Sequence, residues 1–290
     1  MKKPFTKIFL SLFFVCFTSL RIHAQSVGGT VSGATQVCPN MPNSGFLQLL
    51  GYTGTILNWE STTDGGITWN NIGNPINSYS YANLTQTTCY RVIVKDAAFP
   101  PDTSSTACIT IIPPSVGGTI IGGGVFCVTA SSGLLTLTGN VGSVLNWQYS
   151  TNGGISWTVI SDTNTTLIHP AITQNTIYQV IVRNGTGCPV DTSSQEFFTI
   201  YSVTVSGIIS GSDTVCYGAN SGTLNLSGNT GIILGWLSST DNGISWTSIS
   251  NITASQNYNN LTQTTLFAAM VKSGTCSTDT AMASIIVRIP

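Results

Sequence analysis

Charge is scarce in this sequence. Only 7% of its 290 residues are Asp, Glu, Lys or Arg, and the formal net charge at pH 7 is −1. A field this weak gathers neither phosphate backbones nor anionic lipid, which excludes nucleic acid and membrane-surface partners as readings. Histidine is rarer still: beyond His23, near the N-terminus, the chain keeps only His169. A Ser-His-Asp or Cys-His constellation, or a zinc site, would hang on that one ring. The acidic residues Glu60, Asp64, Asp96, Asp102, Asp162, Asp191, Glu196, Asp213, Asp241 and Asp279 are scattered along the chain. The glycine-rich stretch GGTIIGGG (117–124) lacks the Lys-Ser/Thr and the following helix of a phosphate-binding loop. A sustained 3.6-residue apolar period is also missing, so helical folds are disfavoured. The expectation is a chain with no catalytic residues, no metal and no cofactor, and hence no enzyme.

Long apolar runs are confined to the start. Lys2, Lys3 and Lys7 precede the run Ile8–Leu20, and RIHAQ places Ala24 at a cleavage position. The run has 13 residues, broken by Ser11, Thr18 and Ser19, against the roughly 20 that a membrane span needs. The layout is that of an export signal over residues 1–24, with a mature chain that has no membrane span and is secreted or held at the cell surface.

What the sequence does have is repetition. Trp59, Trp147 and Trp236 are 88 and 89 residues apart, Trp69, Trp157 and Trp246 keep the same spacing, and Cys38, Cys127 and Cys216 are 89 and 89 apart. Val27, Val116 and Val205 head the three copies, and Asp102, Asp191 and Asp279 mark their ends. The copies span 26–113, 114–203 and 204–290. Within each, short runs such as GTLNLSG, SVLNWQYS and YRVIVK alternate or carry β-branched residues between Gly, Asn, Asp and Thr clusters. Seven strands are expected in the first copy, near 28–37, 45–50, 55–61, 67–72, 78–83, 89–95 and 104–112. Seven short strands in a unit of this length describe an immunoglobulin-like β-sandwich, so the fold class is all-β, with three tandem sandwiches. Trp59, Trp147 and Trp236 fall on the third strand, where such a sandwich buries an indole, and are read as core.

The segments TTDGGITW (62–69), STNGGISW (150–157) and STDNGISW (239–246) resemble the Asp-box hairpins of sialidases. The turn dipeptides tolerate positive φ, and an Asp or Asn side-chain oxygen can accept backbone N–H groups across the turn. Asp64 and Asp241 are matched by Asn152, and an amide cannot act as a general base. The set Asp64, Trp69, Asn152, Trp157, Asp241 and Trp246 is therefore read as structural hairpin. Exposed rings at Trp69, Trp157 and Trp246 would instead offer faces on which sugars stack. Asp102, Asp191 and Asp279 are expected to cap loop backbone.

In an exported chain, paired cysteines imply disulfides. Cys127 with Cys188 and Cys216 with Cys276, 61 and 60 residues apart, are the pairs within copies two and three. A plain sandwich, however, places the two members of each pair at opposite ends. The first copy has Phe99 at the second position and carries Cys89 and Cys108 on the sixth and seventh strands. Cys89–Cys108 and Cys38–Cys89 are its competing bridges.

The turn and strand LTQTTCYRVIV (84–94) resembles the corresponding part of fibronectin type III domains, and its third copy has Phe267 in place of the tyrosine. The unit as a whole, VGGTVSG…VC…STDGG.SW…NLTQTT.YRVIV, is similar to the tandem Ig-like (fibronectin III/PKD-like) repeats of secreted Bacteroidota surface and adhesin-type proteins. That resemblance implies export and a non-catalytic role as an adhesive or structural spacer, with an extracellular protein or glycan as partner. The alternative is an array of carbohydrate-binding modules, and in either case the chain is open to being a fragment of a larger secreted protein.

Overall fold

A computed structural model describes residues 25–39, 41–97 and 99–289. The segment read as an export signal lies outside the described residues. The chain divides into a compact unit ending at Ile111, which holds the first sandwich, and a second from Ile112, which holds the other two. No helix occurs among the described residues, so none is long and apolar enough to cross a membrane.

The first sandwich contains β1 (Thr30–Ser32), β2 (Thr35–Val37), β3 (Ser44–Leu50), β4 (Thr55–Thr62), β5 (Asn70–Asn71), β6 (Ser78–Ala82), β7 (Thr88–Lys95), β8 (Asp102–Thr103) and β9 (Ala107–Ile111). One sheet has the order β1-β3-β6; the facing sheet runs β2-β9-β7-β4-β5, with β8 pairing on β7. The second and third sandwiches repeat this division into a three-stranded sheet and a larger one. The all-β, immunoglobulin-like architecture in three copies is thus the fold of the chain.

Two strands differ from expectation. The stretch 28–37 is not one strand: β1 pairs antiparallel with β3, the chain then bends at Gly33, and β2 crosses to the other sheet to pair parallel with β9. Gly33 has a φ of 103°, and a Cβ there would lie 2.7 Å from the Phe46 carbonyl oxygen. Gly122 (φ 125°, 2.5 Å from the Leu134 oxygen) and Gly211 (φ 96°, 2.4 Å from the Thr223 oxygen) do the same in the other copies. Only glycine combines positive φ with so close a backbone approach. The strand expected at 67–72 is reduced to Asn70–Asn71, because the hairpin turn consumes the residues before it.

Strict alternation builds the cores. β7 buries every second residue from Thr88 to Val94, and its equivalents Thr176–Arg183 and Thr265–Lys272 bury the same face. Leu47, Trp59, Val92 and Ile109 are fully buried in the first core. Trp59, Trp147 and Trp236 are each 0% exposed. Their indole N–H groups donate to Ile76 O (2.8 Å), Asn164 O (2.9 Å) and Thr253 O (2.9 Å), in each case the residue 17 positions on. The ring fills the space between the sheets while its one polar atom ties down the loop before the strand that follows.

Replacing Trp236 with Ala removes the largest side chain of the third core and leaves the Thr253 carbonyl without its donor. The expected loss is about 3–5 kcal/mol, read as a lower urea midpoint for that sandwich.

Candidate functional site at the hairpin tips and the repeat boundary

The hairpin acids are bonded inward. Asp64 Oδ1 accepts from the Thr62 hydroxyl (2.6 Å) and from the Ile67 and Thr68 amides (3.0 Å each), and Oδ2 accepts from the Thr68 hydroxyl. Asp241 takes the same bonds from Ser239 (2.7 Å) and the Ser245 amide (2.8 Å). In the second copy Asn152 keeps them: its Oδ1 accepts from Ser150 (2.8 Å) and the Ser156 amide (3.0 Å), and its amide nitrogen donates to the Ser156 hydroxyl (2.8 Å). An uncharged residue closes the same turn, so the turn requires an oxygen in that place, not a titratable group.

These bonds favour the ionised acid. Hydroxyl donation by Thr62, then by Thr68, holds Asp64 far below the usual carboxylate range, and donation by Ser245, joined by Ser239, brings Asp241 down to about 2. A carboxyl held this low accepts no proton near neutral pH.

The second tryptophan of each hairpin lies over its turn. Trp69, Trp157 and Trp246 are half-buried, with Gly66, Gly154 and Gly243 beneath the ring, each close enough that an added Cβ would stand 3.6 Å from it. Trp69 Nε1 donates to Gly66 O at 3.1 Å. Sequence reasoning missed Arg91, whose guanidinium lies 4.0 Å from the Trp69 ring centroid and pairs with Glu60 at 2.7 Å. Cross-strand neighbours of opposite charge at Glu60 and Arg91 were its signal. The equivalent pairs are Gln148 with Gln179, bonded at 2.7 Å, and Leu237 with Ala268, so this cation–π contact belongs to the first copy alone.

The remaining candidates are also structural. His169 is 3% exposed, donates from Nδ1 to Pro170 O (2.8 Å) and packs edge-on against Phe198. Asp102 and Asp191 each accept from a backbone amide at the head of their own copy, Gly28 and Gly117 at 2.8 Å, and Asp279 from Ser206 at 2.9 Å. The Ser206 amide bond holds Asp279 below the usual range. An apolar cleft in the second sandwich, lined by residues including Tyr149, Ile160, Pro170, Ile172 and Tyr178, has no carboxylate, imidazole or thiol in its wall. Among the described residues, no three His, Cys, Asp or Glu side chains gather to hold a metal ion.

The cysteines require a correction. Cys89 and Cys108 are bonded across β7 and β9, where they are register partners, and this rules out Cys38–Cys89. Neither expected bridge within copies two and three exists: Cys127 is bonded to Cys276, and Cys216 is a free, exposed thiol. Cys38 and Cys188 are also disulfide-bonded. The reason is the bend at Gly122. It carries Cys127 along the last strand to the level of Tyr201, at the far end of its sandwich, whereas Cys276 sits in the turn beside the linker, its N–H bonded to Ser273 O at 2.9 Å. The bridge therefore joins the end of one sandwich to the head of the next. Tyr201 lies flat on Gly274 at this boundary, so close that a Cβ would fall 2.2 Å from the ring, and Cys276 Sγ is 3.3 Å from Ser202 O.

The depressed acids set the sign of a pH effect. Their contribution to stability is complete above the ordinary carboxylate value, 3.8, and is lost as pH falls through the folded value, about 2 for Asp241. As pH falls through about 2 the amide resonance of Ser245 should therefore shift, that of Thr68 should hold until more acidic pH because Asp64 is held lower still, and that of Ser156, bonded to Asn152, should stay. Asp241→Asn should abolish the Ser245 shift without opening the turn.

No curated protein matches the chain. Among solved structures it is similar to the chicken CNTN1 FN1–FN3 domains, with 15% identity, a TM-score of 0.30 and coverage of 91% of this chain and 98% of that one. It is similar also to extracellular domains 3–5 of Drosophila OTK (13% identity, TM-score 0.38, 91% and 97% covered). A third likeness is to the three N-terminal domains of the bacteriophage RB49 highly immunogenic outer capsid protein (16%, 0.42, 90% and 99%). At these identities and TM-scores the likenesses carry no shared role. The family described as Domain of unknown function (DUF8696) matches residues 27–113, 116–202 and 205–289, one match for each sandwich, and the chain belongs to it.

Proposed function

We propose that this protein is an exported, non-catalytic repeat protein, working outside the cell as a structural or adhesive spacer between an extracellular protein or glycan and the surface it serves. The secreted Bacteroidota surface proteins that its repeats resemble are the setting this reading favours. The observation that carries it is the Cys127–Cys276 bridge, which ties successive sandwiches end to head. Disulfides persist in oxidising compartments, in line with export. A bridge in this position also sets what tension can do. Tension along the chain cannot draw out to full length the 149-residue stretch that the bridge closes.

Support for the absence of catalysis is chemical. The hairpin acids are saturated by donors of their own turn, and the imidazole is buried. The carbohydrate-array reading finds less support, since each hairpin ring is half-buried over a glycine and, in the first copy, stacked by Arg91.

Single-molecule stretching tests the spacer reading. The two bonded cysteines are 149 residues apart, so reduction, which also opens the other bridges, should release at least about 500 Å of additional extension that the oxidised chain never shows. Equal extension with and without reductant would remove the reading. Glycan binding on an array, lost with Trp157→Ala, would replace it with the carbohydrate one.

A further inference from the structure

The second sandwich departs from its siblings around one loop. On the cross-strand pair beside the hairpin it has Tyr149 opposite Tyr178, where the first has Ser61 opposite Tyr90 and the third Ser238 opposite Phe267. In the first and third, an asparagine side chain holds both backbone groups of a leucine: Asn43 binds Leu84 at 2.9 Å each way, and Asn220 binds Leu261 at 2.8 and 2.9 Å. Left-handed Asn83 (φ 52°) and Asn260 (φ 49°) lead into those leucines. The second sandwich has Ser131 and Ala171 at the corresponding places, and there Ala130 and Ile172 exchange backbone bonds directly, at 2.8 and 2.9 Å.

These departures meet at the cleft lined by Tyr149, Ile160, Pro170, Ile172 and Tyr178, whose volume is about 250 Å3. Tyr178 is 4% exposed, and its hydroxyl has no hydrogen-bond partner among the described residues. Asn146 Oδ1 is the one unpartnered side-chain oxygen or nitrogen sealed from solvent among them, so the Tyr178 hydroxyl reaches solvent, and it does so through the cleft it lines. Burial, with Tyr149 adding to it, pushes the phenol above its ordinary value, so it stays protonated and able to donate. Tyr149, Thr151, Thr173 and Gln174 bring four more polar side chains to the wall, all neutral and none hydrogen-bonded within the described protein. A nearly buried hydroxyl without a partner is a cost that an oxygen of a bound ligand offsets.

We propose that this cleft binds a single pyranose ring at the end of a neutral glycan. Its volume lies below the roughly 300–1,000 Å3 of pockets for drug-sized ligands and admits one ring. The apolar floor of Ile160, Pro170 and Ile172 suits the C–H face of a sugar, and five polar groups that donate or accept suit its hydroxyls. No charged side chain stands in the wall to pair with a uronic acid, a sialic acid or an amino sugar, so the sugar is uncharged. A prolyl ring would fill the same space, but it brings one carbonyl to five polar groups and leaves most of them unmatched. Because Ser61 and Ser238 stand in place of Tyr149 in the other sandwiches, one glycan binds per chain, and the hairpin tryptophans take no part. The proposal rests on the adhesive side of the spacer reading and names what is held.

The probes are the methyl glycosides of glucose, galactose and mannose, titrated into the full chain and followed by amide chemical shifts. At least one should bind at millimolar concentration, one per chain, and move the resonances of Ile160, Ile172 and Thr173. Tyr178→Phe, matching Phe267 of the third sandwich, should weaken binding at least about five-fold, and Tyr149→Ser, matching Ser61 and Ser238, about ten-fold or more. Trp157→Ala should change it less than about two-fold. The sibling sandwiches already fold with the first two replacements, and a single cooperative urea transition establishes that each variant is folded. No shift with any glycoside, affinity that survives both Tyr178→Phe and Tyr149→Ser, or loss on Trp157→Ala would overturn the proposal. So would a proline-rich peptide that moves the same resonances when the glycosides do not. Extension under force is indifferent to the cleft, so failure here is distinct from failure of the spacer reading.

Discussion

A bend in the first strand is the constraint on which this structure depends. At Gly33, Gly122 and Gly211 the chain leaves one sheet and joins the other, and in each case the backbone oxygen of a neighbouring strand occupies the space a Cβ would need. The second half of the strand then runs parallel to the last strand of the sandwich and ends level with the linker. That placement makes a strand of only three or four residues the edge of the larger sheet, and so short an edge is a poor template for unwanted pairing. It also delivers Cys127 to the boundary. A straight first strand would have left the cysteine beside its own partner sheet, with the next repeat out of reach.

The polar residues follow a similar economy. Asp64, Asn152 and Asp241 all serve as oxygen acceptors for the amides and hydroxyls of a tight turn, and the exchange of carboxylate for amide between copies leaves the geometry in place. Asp102, Asp191 and Asp279 close each copy on itself by binding the amide at its head. Groups that could move protons are thereby committed to holding backbone.

Much of this was legible in the sequence, and for physical reasons. The repeat shows in tryptophans and cysteines recurring every 88 or 89 residues, and the strand alternation, the third-strand setting of Trp59, Trp147 and Trp236 and the turn chemistry of the hairpins are local signals, each carried within about ten residues. The bend at Gly33 was not, because VGGTVSG reads equally as a glycine-rich edge strand until its neighbours are placed. The bridge was not either. Cys127 and Cys188 are nearer in sequence, but bonding is decided by which ends of which sandwiches meet, and the spacing of cysteines within one copy says nothing about its neighbour. Arg91 escaped notice because a lone cation on a strand gains meaning only when its cross-strand partner and the ring behind it are known.

The stagger of the Cys127–Cys276 bond imposes an order of assembly. A polypeptide made N-terminus first presents Cys127 long before Cys276, so the second sandwich can complete its core while its thiol is still waiting. Oxidation that came too early could only join Cys127 to a wrong partner, and the correct bond closes once the third sandwich has formed its own turn. Maturation of this chain is accordingly a zipper that advances one bead behind synthesis, with sulfur oxidation recording that the following bead has folded.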